Sequence, residues 1–195
     1  MAQSLNGYIS GPNGHRVQIS SPEDRERVLK LREASDGILV GSRTIENDNP
    51  ELSSPGNPSL RKIVIDPGLK LGNSYKIMKN PGYTIILNSR KEHKSRNSAT
   101  YLDCGSPFDL SIAMAKLNEL GIKRLLIEGG EYTAQKFLLE GMVDEFYIFV
   151  GNMILPESGR RFPTPLNEIR NVILDVRIMK GGILLKIDPS KFKEE

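Results

Sequence analysis

The sequence of 195 residues has one cysteine, no tryptophan and no long apolar run. The single cysteine, Cys104, excludes an intrachain disulfide framework and any zinc site built from several cysteines. No apolar stretch approaches the roughly 20 residues that a membrane-spanning helix requires. No charged and apolar leader opens the chain either, so we expect a cytoplasmic protein without a membrane partner.

The excess of charge is also small. The formal net charge is +3, and the basic residues are spread along the chain. This balance gives no argument for a nucleic-acid partner and suits at most a small anionic ligand. His15 and His93 lie far apart in polar segments, so no metal site is expected. The length and the ordinary composition predict a single domain over residues 1–195.

The sequence does contain short apolar runs that alternate with helical patterns. Strands are predicted at residues 37–41, 62–66, 83–87, 124–128 and 146–150. Helices are predicted after the N-cap candidate Ser21, over residues 108–120 and over about 131–140. This alternation predicts an α/β fold with a mainly parallel central sheet and helices on both faces. The Gly181-Gly182 pair predicts a turn of a C-terminal antiparallel hairpin.

One stretch organises the rest of the chain: an apolar run that ends at Glu128, Gly129 and Gly130, followed at once by a helical pattern. A helix N-terminus binds phosphate because its unpaired N–H groups and the positive end of its dipole point at the anion. Glycine lacks a Cβ, so a phosphate can approach the backbone closely. Glu128 lies where the strand ends, which is the ligand side of an open α/β sheet. A structural Gly-Gly turn beside an exposed glutamate is the alternative interpretation.

Other polar residues follow or end predicted elements. Thr44 and Asp48 come after the strand at 37–41, and their spacing of four places them on one face of a helical turn. Such a pair serves helix capping more often than catalysis. Arg32 falls near the end of the first predicted helix, where a solvated arginine is favourable to the helix dipole.

Ser89 and Arg90 follow the predicted strand at 83–87. If that strand is parallel to the one ending at Glu128, both open on the same side of the sheet. A hydroxyl beside a guanidinium suits the 2′-phosphate of NADPH, which arginine binds through two parallel hydrogen bonds. A solvated charged loop is the alternative, because more charged residues follow directly.

Four segments in this order resemble one family, the reductases of riboflavin biosynthesis with a dihydrofolate-reductase-like fold. They are Ser4-Leu5-Asn6-Gly7; residues 36–41 with Thr44 and Asp48-Asn49-Pro50; Ile63-Val64-Ile65-Asp66; and Glu128-Gly129-Gly130 with residues 141–145. The resemblance spans nearly the whole chain. It implies NADPH-dependent reduction of a 5′-phosphoribosylamino-pyrimidine to its ribitylamino form, with a hydride delivered to the first carbon of the sugar.

The resemblance also implies site residues, to which Ser89 and Arg90 are added from the pattern above. The catalytic carboxylates are Asp48 and Glu128. NADPH, with NADH as the alternative cofactor, is expected to contact Thr44, Asp48, Asp66, Ser89, Arg90, Gly129, Gly130, Glu131, Tyr132 and Thr133. The phosphorylated substrate is expected to contact Arg16, Arg32, Leu52 and Glu128, with Arg32 holding its phosphate. A homodimer is expected from the resemblance and from the apolar strand at 146–150.

The chain departs from the family pattern at three positions. Asn6 replaces the usual Asp of the first turn, and Pro67 stands where a serine often contacts the cofactor. Pro55 lies near the position of a second phosphate-binding arginine, for which Arg16 or Arg61 could substitute. The short segment before the first turn leaves the formation of the first strand open.

Two other functions stay open at this point. One is a dihydrofolate-reductase-like reductase with another substrate, and the other is a nucleotide-binding regulatory module without turnover. One cysteine and no zinc-ligand spacing exclude a zinc deaminase domain from this sequence. The chain therefore resembles the free-standing archaeal and fungal reductases, which act on the still-aminated 2,5-diamino-pyrimidinone.

Overall fold

The structure is a computed structural model that describes residues 1–79, 84–90, 99–128, 130–161 and 168–193. The chain forms two compact units, one of Leu29–Gly130 and one of Met1–Val28 with Glu131–Glu195. The strands are β1 (Ala2–Ser4), β2 (Gly37–Gly41), β3 (Arg61–Ile65), β4 (Thr84–Asn88), β5 (Ala99–Asp103), β6 (Leu125–Ile127), β7 (Phe146–Gly151), β8 (Ile173–Met179) and β9 (Gly182–Ile187). The helices are α1 (Pro22–Glu33), α2 (Ser42–Asp48), α3 (Lys76–Lys79), α4 (Leu110–Glu119) and α5 (Glu131–Leu139).

The unit Leu29–Gly130 contains a five-stranded sheet in the order β5-β4-β3-β2-β6, in which all neighbouring strands are parallel. Strands β2 to β5 follow one another in one direction, and the chain then returns to the far side of β2. Because such crossovers are right-handed, α2 and α3 lie on one face of the sheet and α4 on the other. The predicted α/β fold with a parallel sheet and helices on both faces is confirmed.

Apolar side chains of alternate strand positions pack against these helices. On one face, Val64 of β3 belongs to a buried cluster with Ile45 of α2 and Ile77 of α3. On the other face, a Cβ at Gly37 would lie 3.2 Å from Ile122, which follows α4. Glycine at this position therefore lets the segment after α4 come close to the sheet.

Side-chain caps set the first residue of two helices. Ser21 Oγ accepts a hydrogen bond from the backbone N–H of Asp24 at 3.2 Å, as the sequence predicted. The Asp109 carboxylate accepts two N–H bonds from the first turn of α4, so this helix begins at Leu110 and not at residue 108. Of the predicted strand at 83–87, the structure shows Thr84–Asn88, because residue 83 lies outside the described part of the chain.

The second unit contains a four-stranded sheet in the order β1-β7-β9-β8. The predicted C-terminal hairpin is confirmed, since β8 and β9 are antiparallel and Gly181 between them has φ 85°. The first strand does form, and β1 pairs in parallel with β7. Within the described residues, no helix is both long and apolar enough to cross a membrane.

Candidate active site

The carboxyl edge of the parallel sheet brings two of the predicted cofactor residues together. The chain leaves β2 toward β3, whereas β6 lies on the other side of β2, so these two strands form a switch point of the kind where ligands bind. Thr44 stands in the first turn of α2, just after β2, and Gly130 follows β6. The Gly130 N–H donates a hydrogen bond to Thr44 Oγ1 at 3.3 Å. Gly129 lies outside the described residues.

Arg32 and Glu128 form a two-pronged ion pair at the end of β6. Arg32 Nε donates to Glu128 Oε1 at 2.7 Å, and Nη2 donates to Oε2 at 2.6 Å. The remaining nitrogen of the guanidinium, Nη1, donates a hydrogen bond to the Ser53 carbonyl at 3.0 Å. The hydrogen bond to Glu128 raises the pKa of Arg32, although partial burial acts in the opposite direction. Two of the predicted substrate residues therefore meet, 96 positions apart in sequence.

The segment that follows α2 supports this pair. Asn57 Nδ2 donates to the carbonyls of Ser35 at 2.8 Å and Glu33 at 3.3 Å, which satisfies backbone groups at the C-terminal end of α1. Leu52 has φ 50°, which is uncommon for a residue other than glycine, and its side chain packs in the buried cluster of the α2 face. Ser54 Oγ is buried and has no hydrogen-bond partner among the described residues.

A cavity of about 380 Å³ lies near the carboxyl ends of β3 and β4, with Asp66, Asn73, Arg90 and Tyr101 in its walls. Its volume falls within the range of roughly 300–1,000 Å³ that is common for ligand pockets. Asp66 is 1% exposed, and its carboxylate accepts the backbone N–H of Leu71 at 2.9 Å. Asp66 therefore shapes the loop that forms one wall, in addition to lining the cavity.

Two predicted residues follow β4 beside this cavity. Arg90 is exposed, and its backbone N–H donates to Asn88 Oδ1 at 2.8 Å. The backbone N–H of Ser89 donates to the Pro67 carbonyl at 3.1 Å. Ser89 Oγ is buried without a hydrogen-bond partner among the described residues. Buried hydroxyls normally find a partner, and the residue that follows Ser89, Arg90, lines the cavity.

The remaining predicted residues occupy other positions. Asp48 is exposed at the last position of α2. Glu131, Tyr132 and Thr133 form the first turn of α5, which belongs to the second compact unit; Tyr132 is 68% exposed and Thr133 is buried. Arg16 is exposed and also belongs to the second unit.

Sequence reasoning missed three groups of this region: the Ser53 carbonyl, Asn57 and Tyr101. The partners of Asn57 lie 22 to 25 residues away, and the Ser53 carbonyl meets an arginine 21 residues away. No local spacing signals such contacts. Tyr101 lies in β5, and its place in a cavity wall depends on the neighbouring strand β4.

Known proteins resemble this chain in sequence and in fold. The riboflavin biosynthesis protein RibD of Aquifex aeolicus is 30% identical over 80% of this chain, which spans only 46% of that protein. The 2,5-diamino-6-ribosylamino-4(3H)-pyrimidinone 5′-phosphate reductase of Methanothermobacter thermautotrophicus is 30% identical, with 79% of this chain and 76% of the relative covered. The solved structure of the riboflavin biosynthesis reductase Rib7 of Saccharomyces cerevisiae matches with a TM-score of 0.76 at 25% identity, covering 95% of this chain and 85% of that chain.

The model of the RibD C-terminal domain family matches residues 1–182. The chain therefore belongs to this family. The resemblance stated from the four sequence segments is confirmed, and so is the fold that it implied.

Proposed function

We propose that this protein reduces the ribosylamino group of a 5′-phosphoribosylamino-pyrimidine to the ribitylamino group in riboflavin biosynthesis, with NADPH as reductant. The relative from Methanothermobacter thermautotrophicus bears the name of such a reductase, and this chain spans 76% of its length. The observation that carries the proposal is the Arg32–Glu128 ion pair, which lies at the end of β6 two residues before Gly130. A charged pair beside a glycine amide at a switch point suits a phosphorylated polar substrate beside a nucleotide.

The described residues fit a nicotinamide dinucleotide in two places. Thr44 and Gly130 meet at the β2–β6 switch point, and the cavity with Arg90 lies at the ends of β3 and β4. The centre of the β2–β6 pair and the centre of the β3–β4 pair are two strand spacings apart, so about 10 Å of sheet edge separate the two places at roughly 4.8 Å per strand. An extended ligand such as a dinucleotide can therefore reach both.

Each predicted cofactor residue has a role in this proposal. Near the nicotinamide and the pyrophosphate we place Thr44, Asp48, Gly129, Gly130, Glu131, Tyr132 and Thr133. At the adenosine end we place Asp66, Ser89 and Arg90. The exposed Arg90 guanidinium and the Ser89 hydroxyl, which has no hydrogen-bond partner within the described part of the chain, suit a 2′-phosphate, which favours NADPH over NADH. When bound, the reduced nicotinamide supplies a hydride.

The substrate is held by Arg16, Arg32, Leu52 and Glu128 in this proposal. Among the residues that the structure describes, three of the five N–H groups of Arg32 are engaged, two by Glu128 and one by Ser53, which leaves two for a phosphate. The Glu128 carboxylate keeps lone pairs that accept a hydrogen bond from the sugar or its amino group. Asp48 is assigned as the second carboxylate, which accepts or holds a proton near the reacting carbon.

The test is a turnover assay with the purified chain. Absorbance of the reduced nicotinamide is followed with the aminated pyrimidine, with the deaminated pyrimidine and with no pyrimidine. We expect oxidation of NADPH that depends on one of the two pyrimidines, and a ribitylamino product by mass spectrometry. Cofactor binding without turnover of either pyrimidine would instead favour a regulatory module, and turnover of a pterin would favour another reductase of the same fold.

We also propose a homodimer, for which the exposed side of β8 gives support. Leu174, Val176 and Ile178 alternate along this edge strand and are 57%, 54% and 86% exposed. The strand at 146–150, which suggested the dimer from sequence, is an interior strand with Phe146, Ile148 and Phe149 buried. Its apolar character serves the core of its own chain and therefore gives no support for a partner.

Light scattering of the purified protein tests the dimer. We expect a dimeric mass that Ile178→Asp reduces toward the monomer, while Ile154→Asp at another exposed position, 73% exposed, does not. A monomeric wild-type protein would contradict the proposal. The cytoplasmic location and the single-domain organisation over residues 1–195 stay predictions, although one family model does span residues 1–182.

A further inference from the structure

We propose that Arg32 takes part in the reaction through Glu128, as the positioning residue that holds this carboxylate in one orientation. This role rests on the proposed function and adds to it, because the family resemblance assigns Arg32 to the substrate phosphate alone. Here its strongest contacts go to a carboxylate of the protein.

The geometry of the pair restricts the carboxylate of Glu128. The last torsion of a glutamate side chain is broad, so a carboxylate with one partner rotates readily. In this structure both oxygens are held, Oε1 by Nε at 2.7 Å and Oε2 by Nη2 at 2.6 Å. Two parallel bonds to a planar guanidinium fix the plane of the carboxylate as well as its position.

Arg32 is itself held at both ends. Its carbonyl and that of Ser35 accept hydrogen bonds from Asn57 Nδ2 at 3.5 and 2.8 Å, and its Nη1 donates to the Ser53 carbonyl at 3.0 Å. The backbone of Glu128 is fixed too, because its N–H donates to the carbonyl of Leu39 in β2 at 3.0 Å. The pair is therefore organised by the protein alone, which is the arrangement expected of a preformed site.

The two roles of Arg32 are compatible and give different kinetic effects. Its two remaining N–H groups can contact a phosphate while the other three hold Glu128 and Ser53. Loss of the phosphate contact raises KM for a phosphorylated substrate only. Loss of the correct carboxylate orientation lowers kcat, and it does so whether or not the substrate carries a phosphate.

The experiment measures kcat and KM separately for the phosphorylated substrate and for its dephosphorylated counterpart. The variants are Arg32→Ala, Arg32→Lys, Glu128→Gln and the double variant Arg32→Ala with Glu128→Gln. Arg25→Ala, an exposed arginine on the same helix, is the matched control. Thermal melting of each variant reports whether it folds. If Arg32→Ala does not fold, Arg32→Lys replaces it as the test of the role of Arg32.

We expect Arg32→Ala to lower kcat for both substrates by roughly a hundredfold, the effect of misplacing a catalytic group by about 1 Å. Arg32→Lys keeps the positive charge but lacks the two parallel N–H donors of the guanidinium. Compared with Arg32→Ala, it should therefore recover KM for the phosphorylated substrate more than kcat. The double variant should be no slower than Glu128→Gln, because both substitutions disable the same function, the correctly oriented Glu128 carboxylate. Added guanidinium should restore part of kcat in Arg32→Ala and have no effect on Arg25→Ala.

The results that would overturn this role are distinct from those that would overturn the proposed function. Unchanged kcat in Arg32→Ala, with a higher KM for the phosphorylated substrate alone, would make Arg32 a phosphate ligand only. Independent, additive losses in the double variant would also contradict it. No turnover in the wild-type chain would remove the proposed function, and the role of Arg32 with it.

Discussion

The substitution of Gly130 separates cofactor binding from folding. Within the described part of the chain, a Cβ at this position would meet Thr44 Oγ1 alone within 4 Å, at 3.6 Å, which is an ordinary contact. Gly130→Ala should therefore fold with a melting temperature close to that of the wild type.

Cofactor affinity should respond differently. If the pyrophosphate of the cofactor approaches the backbone N–H of Gly130, the side chain in Gly130→Val occupies the space of the pyrophosphate. A charge-assisted hydrogen bond of about 1.5–3 kcal/mol is then lost. We expect Kd for NADPH to rise roughly ten- to a hundredfold, since 1.4 kcal/mol corresponds to a factor of ten. Gly130→Ala should fall between the wild type and Gly130→Val.

Calorimetric titration with NADPH and thermal melting without it are the two measurements. Gly37→Ala is the matched comparison, because its Cβ would lie 2.7 Å from Ile63 Cδ1. That variant should lose stability, by about 1–3 kcal/mol for an overpacked core, and keep its cofactor affinity. Unchanged NADPH affinity in a folded Gly130→Val protein would show that the turn is only structural and would refute the reasoning.

Three further predictions concern single carboxylates and the cofactor. Asp48→Asn should lower turnover by roughly 10²–10⁴-fold with little effect on melting, since Asp48 is exposed; near wild-type turnover would exclude it from the mechanism. Arg90→Ala should weaken NADPH binding while NADH binding barely changes, and equal losses in parallel titrations would remove the 2′-phosphate role. The backbone N–H groups of Arg124 and Lys123 donate hydrogen bonds to Asp36 and lower its pKa below the ordinary 3.8. The ionised Asp36 carboxylate therefore stabilises the folded protein above pH 3.8, and this stabilisation is lost as the pH falls through the lowered pKa of the folded state. Asp36→Asn should therefore have a lower melting temperature than the wild type at neutral pH. An equally large difference in melting temperature in acid would contradict this.

The sequence by itself determined five strands of this fold, its C-terminal hairpin and its three longer helices. Runs such as 37–41 are apolar at every position, which is typical of strands covered on both faces, and the structure contains each predicted strand. Ser21 and Gly181 are local signals, because a cap or a turn depends on a few neighbouring residues. The family was also identified from short segments at fixed spacings.

The tertiary structure alone decided which site residues meet. Arg32 ends a helix and Glu128 ends a strand 96 positions later, so each is separately consistent with a solvated side chain. Their contact depends on strand order: β6 returns to the side of β2 opposite β3, and this placement is absent from any local pattern. The same holds for Asp66, whose carboxylate binds the loop after β3 as well as lining a cavity. Sequence patterns encode periodicity and caps over a few residues, whereas a site assembled from distant strand ends exists only once the sheet has formed.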